Sequence, residues 1–297
     1  MNITIVGPGA IGSLWAIKLL QAGHNVSLWG RSANNSMELS LDKQASLSFS
    51  NHNIEKLSES DLVIFTVKAW QVEEATTPLL QHLDPDTILM FLHNGMGAVD
   101  QIATQIDAHP VVLATTTQAA FKPDRNNVSH TGIGQTQLGT FNLKGQQCTF
   151  LVDVLEHALP TVSWNPEIKT ALWTKLAINC AINPLTGLEQ ITNGELVDQR
   201  FSEVLSSIIR EITQVMLAEG ITCSFDELET SVNKVIQATA KNNSSMKQDM
   251  FYQRKTEIDF ITGHLIKTAL KHQIDVPVNQ KLFDQVKERE NSWNQQD

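Results

Sequence analysis

The chain has 297 residues with 41% hydrophobic and 18% charged residues, a balance typical of a globular protein with one large or two moderate domains. Its net charge of −10 argues against a general nucleic-acid or anionic-membrane surface, because both need clustered positive charge. The three cysteines lack C-x-x-C spacing and the nine histidines lack H-x-x-x-H pairing, so we expect neither a disulfide framework nor a metal site. The absence of a signal-peptide pattern and of a membrane-spanning apolar run predicts a cytoplasmic protein.

The first twelve residues form a strand–turn–helix pattern. A β-branched run at 3–6 predicts a buried strand, and a G-x-G-x-x-G turn leads into a helix predicted over Ser13–Gln21. Gly7 permits the tight turn, Gly9 lets a pyrophosphate approach the backbone, and Gly12 lets the helix pack on the strand. The helix start offers N–H groups to phosphate, which predicts a dinucleotide site made by Gly7, Pro8, Gly9, Ala10, Ile11 and Gly12. The alternative is a glycine-rich turn in some other strand–helix–strand unit.

Strands and helices alternate up to about residue 160, and helices dominate afterwards. We predict strands at 25–29, 45–49, 61–67, 87–92 and 111–115 and a hairpin at 127–141. We predict helices at 71–81, 99–106, 167–182, 198–219 and 224–241, in a short segment after Ser245, and at 256–272 and 280–290. Asn165 and Pro166 suit the N-cap and first position of a helix. The pattern therefore predicts an α/β fold, with a doubly wound parallel sheet in residues 1–165 and an all-helical domain in residues 166–297.

The end of the second predicted strand bears on the identity of the dinucleotide. An NAD-binding unit has an acidic residue there for the ribose hydroxyls, whereas this chain has Gly30-Arg31-Ser32. An arginine can stack on adenine and pair with a 2′-phosphate. Arg31 therefore favours NADP (NADPH) over NAD, and the alternative is an ordinary solvated charge in a loop.

A polar stripe interrupts the nearly apolar helix predicted at 167–182. Lys175 and Asn179 are four residues apart and share one face, and Asn183 extends the stripe to Pro184, where we expect the helix to end. A buried lysine is costly unless it is paired or lines a cleft, and burial lowers its pKa toward that of a useful proton donor. The alternative is a lysine whose ammonium reaches solvent.

Two later segments contain further candidates. Ser245 with Gln248 fits a capping box, and this helix start could also offer a hydroxyl or N–H group to a carboxylate. Glu257 lies at another predicted helix start, where a carboxylate that complements the helix dipole is the alternative interpretation. On one straight helix Ser245 and Glu257 would be roughly 18 Å apart. If both serve one small ligand, the chain must bend, and we expect the bend at 253–255.

Taken together, these motifs resemble those of the ketopantoate reductase (2-dehydropantoate 2-reductase) family over essentially the whole chain. The resemblance rests on Gly7-Pro-Gly-Ala-Ile-Gly12, Val67-Lys-Ala-Trp-Gln71, His93-Asn-Gly-Met-Gly97, Thr115-Thr-Thr117, Trp173-Thr-Lys-Leu-Ala-Ile-Asn179, Asn183-Pro-Leu185, Asn193-Gly-Glu195, Ser244-Ser-Met246 and Thr256-Glu-Ile-Asp259. It implies a Rossmann domain followed by a helical domain like that of 6-phosphogluconate dehydrogenases, with the active site in the cleft between them. It also implies NADPH-dependent reduction of ketopantoate to (R)-pantoate, on the route to pantothenate and coenzyme A.

The resemblance assigns roles to single residues. The family's general acid falls on Lys175, and its catalytic glutamate, which also reaches the cofactor, falls on Glu257. Its substrate contacts match Asn94, Asn179, Asn183, Asn193 and Ser245. Its cofactor contacts match the turn residues 7–12 together with Arg31, Lys68, Asn94, Ala120 and Glu257. Gln118 departs from a histidine found in some members, and Pro8 varies in the family; neither departure touches the implied chemistry.

Three functional hypotheses remain at this point. The first is ketopantoate reductase, and the second is a reductase of another 2-oxo or 3-hydroxy acid on the same scaffold. The third is a non-catalytic NADP(H)-sensing protein, which would not need the set of Lys175, Glu257 and Asn179. We expect a small-molecule substrate, neither a nucleic-acid nor a membrane partner, and a monomer or homodimer.

Overall fold

The computed structural model describes residues 1–293, which fall into two compact units. The first unit contains Met1–His93 and Ala98–Ile168, and the second contains Asn94–Gly97 and the chain from Lys169 onward. Residues 294–297, the end of the predicted second domain, lie outside the described residues. The domain boundary at 165/166 stays a prediction, and no sequence pattern predicted that Asn94–Gly97 would pack with the helical unit.

Within the described residues, one sheet of eleven strands forms the first unit. The strands are β1 (Asn2–Val6), β2 (Asn25–Trp29), β3 (Ser36–Leu41), β4 (Leu47–Asn51), β5 (Leu62–Phe65), β6 (Ile88–Leu92), β7 (Val111–Thr116), β8 (Ala119–Phe121), β9 (Asn127–Gly132), β10 (Thr136–Thr140) and β11 (Val162–Trp164). Their order is β11-β10-β7-β6-β5-β1-β2-β4-β3-β9-β8. The consecutive pairs from β4 through β2, β1, β5 and β6 to β7 are parallel, which confirms the predicted Rossmann-like core. The pairs β3–β4, β7–β10 and β8–β9 are antiparallel additions on either side of it.

The hairpin predicted at 127–141 is wrong. Both of its arms are strands, but β9 pairs with β8 and β3, whereas β10 pairs with β7 and β11. Val128 in β9 and Leu138 in β10 are both buried in the core of the first unit. The Thr/Gln alternation in this segment correctly predicts two extended strands. The strands that β9 and β10 pair with are selected by the burial of Val128 and Leu138 at different parts of the sheet.

Helices cover this sheet. They are α1 (Ala10–Gln21), α2 (Ile54–Ser58), α3 (Val72–Leu80), α4 (Ala98–Gln101), α5 (Ala103–Ile106) and α6 (Leu151–Ala158), with 3-10 turns at Ala69–Gln71 and Leu143–Phe150. Leu14, Trp15 and Ile17 of α1 are completely or almost completely buried, so α1 packs firmly on the sheet. Its N-terminus is therefore held at the end of β1, where the glycine turn lies.

Within the described residues, the regular elements of the second unit are all helices or 3-10 turns. Its helices are α7 (Ile168–Glu189), α8 (Ser202–Ala218), α9 (Phe225–Ala238), α10 (Ser245–Phe251), α11 (Thr262–Lys271) and α12 (Pro277–Trp293), with 3-10 turns at Asn193–Val197, Gln199–Phe201 and Ile258–Phe260. Apolar residues of α7, α8, α9, α11 and α12 form one core. This arrangement confirms the expected helical C-terminal part.

The expected end of α7 at or before Asn183 is wrong, because the helix continues through Pro184 to Glu189. A proline inside a helix costs about 3 kcal/mol. Leu185 lies in the core, and burying one such side chain contributes about 1.5–3 kcal/mol. Thr186, also buried, donates its hydroxyl to the carbonyl oxygen of Ile182 at 2.8 Å. Leu188, further along α7, also packs against this core, so burial of the two leucines beyond the proline offsets its local cost.

Candidate active site

The glycine turn of the first unit fits a dinucleotide. Gly7 has φ +80°, and a Cβ atom there would lie 2.4 Å from Cγ1 of Val67. A Cβ atom on Gly12 would lie 2.2 Å from Oγ1 of Thr66, so both positions require glycine. At Gly9 the nearest atom to a Cβ would be the carbonyl oxygen of Gly7 at 3.9 Å. The turn is therefore open at Gly9, where a phosphate must come close to the backbone at the start of α1.

Two side chains that directly follow other strands, Thr66 after β5 and Lys122 after β8, support this turn. The hydroxyl of Thr66 donates to the carbonyl oxygen of Gly7 at 2.7 Å. The ammonium of Lys122 donates to the carbonyl oxygen of Pro8 at 2.7 Å and to Oγ of Ser13 at 2.8 Å. Burial lowers the pKa of Lys122 to about 8. Sequence reasoning missed Lys122, because its only signal was a lysine just after β8.

The other predicted cofactor residues of this unit lie on elements around the turn. Arg31 is exposed after β2, and a Cβ atom on Gly30 would lie 3.1 Å from Cγ of Pro8, so the residues that precede Arg31 adjoin the glycine turn. Lys68 follows β5, and its backbone N–H donates to Oε1 of Gln71 at 3.3 Å. Ala120 lies in β8, which packs against α1.

In the second unit, α7 presents the predicted polar stripe. Lys175, Asn179 and Asn183 recur every four residues along one face of the continuous helix. Burial lowers the pKa of Lys175 to about 8, and the negative charge of Glu257 opposes this shift. Glu257 itself is only 4% exposed. The structure thus brings together the two residues that resemblance assigned to catalysis.

Asn94 joins this pair. Its Nδ2 donates to Oε2 of Glu257 at 3.5 Å. The segment Asn94–Gly97 lies against the Ile258–Phe260 turn, where the N–H of Met96 donates to the carbonyl oxygen of Phe260 at 2.8 Å. Gly95 has φ +81°, and a Cβ atom there would lie 2.5 Å from the same oxygen. The glycine after Asn94 is therefore required for the close approach that carries Asn94 to Glu257.

A buried carboxylate on α12 holds the residue before Glu257. Oε1 of Glu290 accepts from the backbone N–H of Thr256 at 2.8 Å and from its hydroxyl at 2.7 Å. The hydroxyl of Thr256 in turn accepts from the N–H of Ile258 at 3.2 Å. Sequence reasoning missed Glu290, because a glutamate in the last helix gives no sign that it reaches Thr256.

The predicted bend between Ser245 and Glu257 is confirmed. Helix α10 ends at Phe251, Gln253 has φ +50°, and Glu257 precedes a separate 3-10 turn. The two residues therefore do not lie on one straight helix.

The assignment of the N-cap of α10 to Ser245 is wrong, because Ser244 is the N-cap. Oγ of Ser244 accepts from the N–H of Lys247 at 3.0 Å, and the hydroxyl groups of Ser244 and Thr186 are hydrogen-bonded to each other at 2.8 Å. Thr186 belongs to α7, so this contact fixes which serine becomes the cap. Ser245 is the exposed first residue of α10 and keeps its predicted substrate role as a hypothesis.

Asn193 is hydrogen-bonded to residues between α9 and α10. Its Nδ2 donates to Oγ1 of Thr239 at 2.9 Å, and its backbone N–H donates to the carbonyl oxygen of Asn242. Its Oδ1 is buried without a hydrogen-bond partner in the described part of the chain. The described contacts of Asn193 lead to the segment before α10, and none joins it to Lys175 or Glu257. Its role in substrate binding stays a prediction.

Residues 1–293 contain neither a candidate metal site nor a candidate membrane span. No group of three or more His, Cys, Asp or Glu side chains in this range has an arrangement that could hold a metal ion. No helix in this range is long and apolar enough to cross a bilayer.

Comparison with known proteins places the chain in a family. The family model "Ketopantoate reductase PanE/ApbA" matches residues 3–142, and "Ketopantoate reductase PanE/ApbA C terminal" matches residues 167–290. A 2-dehydropantoate 2-reductase from Vibrio cholerae is 53% identical over 293 residues, which cover 99% of each chain. The chain belongs to the ketopantoate reductase family. The resemblance inferred from the motifs is therefore confirmed.

Solved structures share the fold of this ketopantoate reductase family member. A PanE/ApbA family ketopantoate reductase from Ralstonia eutropha has a TM-score of 0.88 at 24% identity and covers 98% of this chain and 99% of its own. A ternary structure of D-mandelate dehydrogenase with NADH and anilino(oxo)acetate has a TM-score of 0.90 at 23% identity, with 99% and 100% covered. At these identities the likeness shows the common fold.

Proposed function

We propose that this chain reduces 2-dehydropantoate to (R)-pantoate with NADPH, in the cytoplasm, on the route to pantothenate and coenzyme A. The observation that carries the proposal is a lysine of lowered pKa, Lys175, beside the buried carboxylate of Glu257 in a chain of this family. Relatives with the name 2-dehydropantoate 2-reductase support the choice of substrate. Residues 1–165 would hold the cofactor and residues 166–297 the substrate, in a monomer or a homodimer.

The first unit has groups that suit the pyrophosphate and the 2′-phosphate of NADPH. When bound, NADPH supplies a hydride to the ketone carbon of the substrate. The N–H groups of the open turn at residues 7–12 would bind the pyrophosphate, and Arg31 would pair with the 2′-phosphate. The further contacts that we propose for the cofactor are Lys68, Asn94, Ala120 and Glu257.

Lys175 acts as the proton donor in this proposal. Negative charge grows on the carbonyl oxygen as the ketone carbon is reduced, and the ammonium of Lys175 stabilises that charge and donates a proton to the oxygen. The carboxylate of Glu257 favours the protonated lysine, and the amide of Asn94 orients that carboxylate. The substrate's carboxylate and hydroxyl would be held by Asn179, Asn183, Asn193 and Ser245.

Substrate competition tests the proposal. We expect kcat/KM for ketopantoate to exceed that for 2-oxoisovalerate, which lacks the hydroxymethyl group, by at least about tenfold. One satisfied hydrogen bond of about 1.4 kcal/mol makes this difference. The assay is steady-state NADPH oxidation, with pyruvate as a second comparison. Equal values for the three acids would favour a reductase of another 2-oxo acid, and tight NADPH binding without turnover would favour a sensor.

A further inference from the structure

The side-chain amide of Asn51 lies inside the loop that carries Arg31. Its Oδ1 accepts from the N–H of Gly30 at 2.9 Å, on one side of Arg31. Its Nδ2 donates to the carbonyl oxygens of Ser32 at 2.9 Å and Asn34 at 2.6 Å, on the other side. Asn51 is only 1% exposed. One buried amide thus binds three backbone groups of residues 30–34, here called the Arg31 loop, and uses both of its donors.

The Arg31 loop has no buried apolar side chain to hold it. Arg31 and residues 33–36 are exposed, and Ala33, the one apolar side chain of residues 31–35, is among them. With no buried apolar anchor, the loop depends on hydrogen bonds for its conformation. Asn51 makes three of the five described hydrogen bonds of residues 30–34; the other two come from the hydroxyl of Ser32 and the ring of His52.

Residues next to Asn51 close the base of the loop. The Nε2–H group of His52 donates to the carbonyl oxygen of Gly30, and its ring lies 4.6 Å from the ring of Trp29. The N–H of Asn51 donates to the carbonyl oxygen of Asn35 at 2.8 Å. Asn51 is the last residue of β4, which pairs in parallel with β2. The rigid sheet therefore fixes the position of the Asn51 amide, and the amide fixes the backbone conformation of the Arg31 loop.

We propose that Asn51 is a positioning residue for cofactor selectivity: it holds the Arg31 loop in the conformation that presents Arg31 to the 2′-phosphate of NADPH. The proposal rests on the proposed function, because it requires the contact between Arg31 and that phosphate. Pre-organisation of the loop removes part of the ordering cost of binding. NADH has no 2′-phosphate, so its binding affinity depends much less on the pre-organised conformation of the Arg31 loop.

Asn51→Asp is the direct test. The aspartate keeps the size of the side chain and the acceptor for Gly30, but it replaces both donors with an oxygen that repels the carbonyls of Ser32 and Asn34. We expect the Kd of NADPH, measured by fluorescence titration, to rise at least about tenfold and that of NADH less than about threefold. Asn51→Ser, which is neutral and too short to reach both carbonyls, should change the ratio in the same direction and avoids a buried charge.

Asn142 provides a matched control. Its Oδ1 accepts from the N–H groups of Val111 at 3.1 Å and Gly145 at 3.0 Å, and its Nδ2 donates to the carbonyl oxygen of His109 at 2.9 Å. It therefore holds a different segment of the same unit by three bonds to backbone groups, two accepted and one donated, whereas Asn51 accepts one bond and donates two. Asn142→Asp should lower the thermal stability and leave the NADPH-to-NADH affinity ratio unchanged. If the Asn51 variants do the same, Asn51 is merely structural and the proposal is overturned.

Arg31→Ala separates this proposal from the proposed function. It should lower the NADPH-to-NADH affinity ratio, and Asn51→Asp should then change the ratio by less than about twofold in the Arg31→Ala background. If Arg31→Ala lowers the ratio and the Asn51 variants do not, only the Asn51 proposal is wrong. If Arg31→Ala leaves the ratio unchanged, the 2′-phosphate contact is wrong, and the Asn51 proposal falls with it.

Discussion

Lys175 must hold a proton in order to donate one, and burial lowers its pKa from 10.5 to about 8. Because the protonated form is the acid, we predict that kcat/KM is highest below about pH 8 and falls as the pH rises through that value. A lysine with an ordinary pKa would keep activity to much higher pH. The measurement is the pH profile of ketopantoate reduction between pH 6 and 10, and a flat profile to pH 10 would contradict the assignment.

Two lysine variants serve as controls for this profile. Lys175→Ala should lower kcat by about 10² or more, which is typical for loss of a general acid, and remove the fall near pH 8, while NADPH still binds. Lys169→Ala removes an exposed lysine from the same helix, whose ammonium pairs with Glu219 at 3.2 Å. It should leave both kcat and the profile nearly unchanged. Near-full kcat in Lys175→Ala would rule out the acid role.

At the scale of elements, the start of α12 depends on a buried carboxylate from α8. Glu211 accepts from the backbone N–H groups of Val278 at 2.9 Å and Asn279 at 3.0 Å, and from Nδ2 of Asn279 at 2.7 Å. Such charge-assisted bonds at a helix N-terminus are stabilising. We predict that Glu211→Ala lowers the free energy of unfolding by about 2–3 kcal/mol, because it leaves buried donors unsatisfied. Urea denaturation measures this change.

The exposed Glu288 of α12 provides the comparison for Glu211. Glu288→Ala makes the same chemical change on the surface and should alter the free energy of unfolding by no more than about 0.5 kcal/mol. Equal changes in the free energy of unfolding for the two substitutions would show that the buried hydrogen bonds of Glu211 do not stabilise the start of α12.

Single elements also show where local patterns stop being sufficient. Local sequence predicted α7 well up to Asn183, because the apolar period and the polar stripe are properties of one helix. It failed at Pro184, where packing of Leu185 and Leu188 against the core of other helices offsets the local cost. The cap of α10 shows the same rule, since Thr186 on a different helix selects Ser244. Each failure occurs where a contact from elsewhere in the chain decides.

For the whole molecule, NADPH should stabilise the first compact unit. Residues 1–293 form two units, each with its own core, and the proposed dinucleotide turn lies wholly in the first. At an NADPH concentration 100 times its Kd, binding adds about 2.7 kcal/mol to the free energy of unfolding of the form that binds it. Hydrogen exchange should therefore slow in β1 and α1, and NADH at the same concentration should slow it less. Unchanged exchange in both elements at saturating NADPH would contradict the proposed site.

By itself the sequence determined the glycine turn, the parallel strands at the centre of the sheet and the polar stripe of α7, because steric limits and hydrophobic period act within one element. The bend between α10 and Glu257 was also predictable, since a straight helix would keep the two candidates apart. Only the tertiary structure decided the partners of β9 and β10, the approach of Asn94 to Glu257, and the supports that Glu290 and Asn51 provide. These features join residues distant in sequence, and the burial and hydrogen bonds that select them exist only in the folded chain.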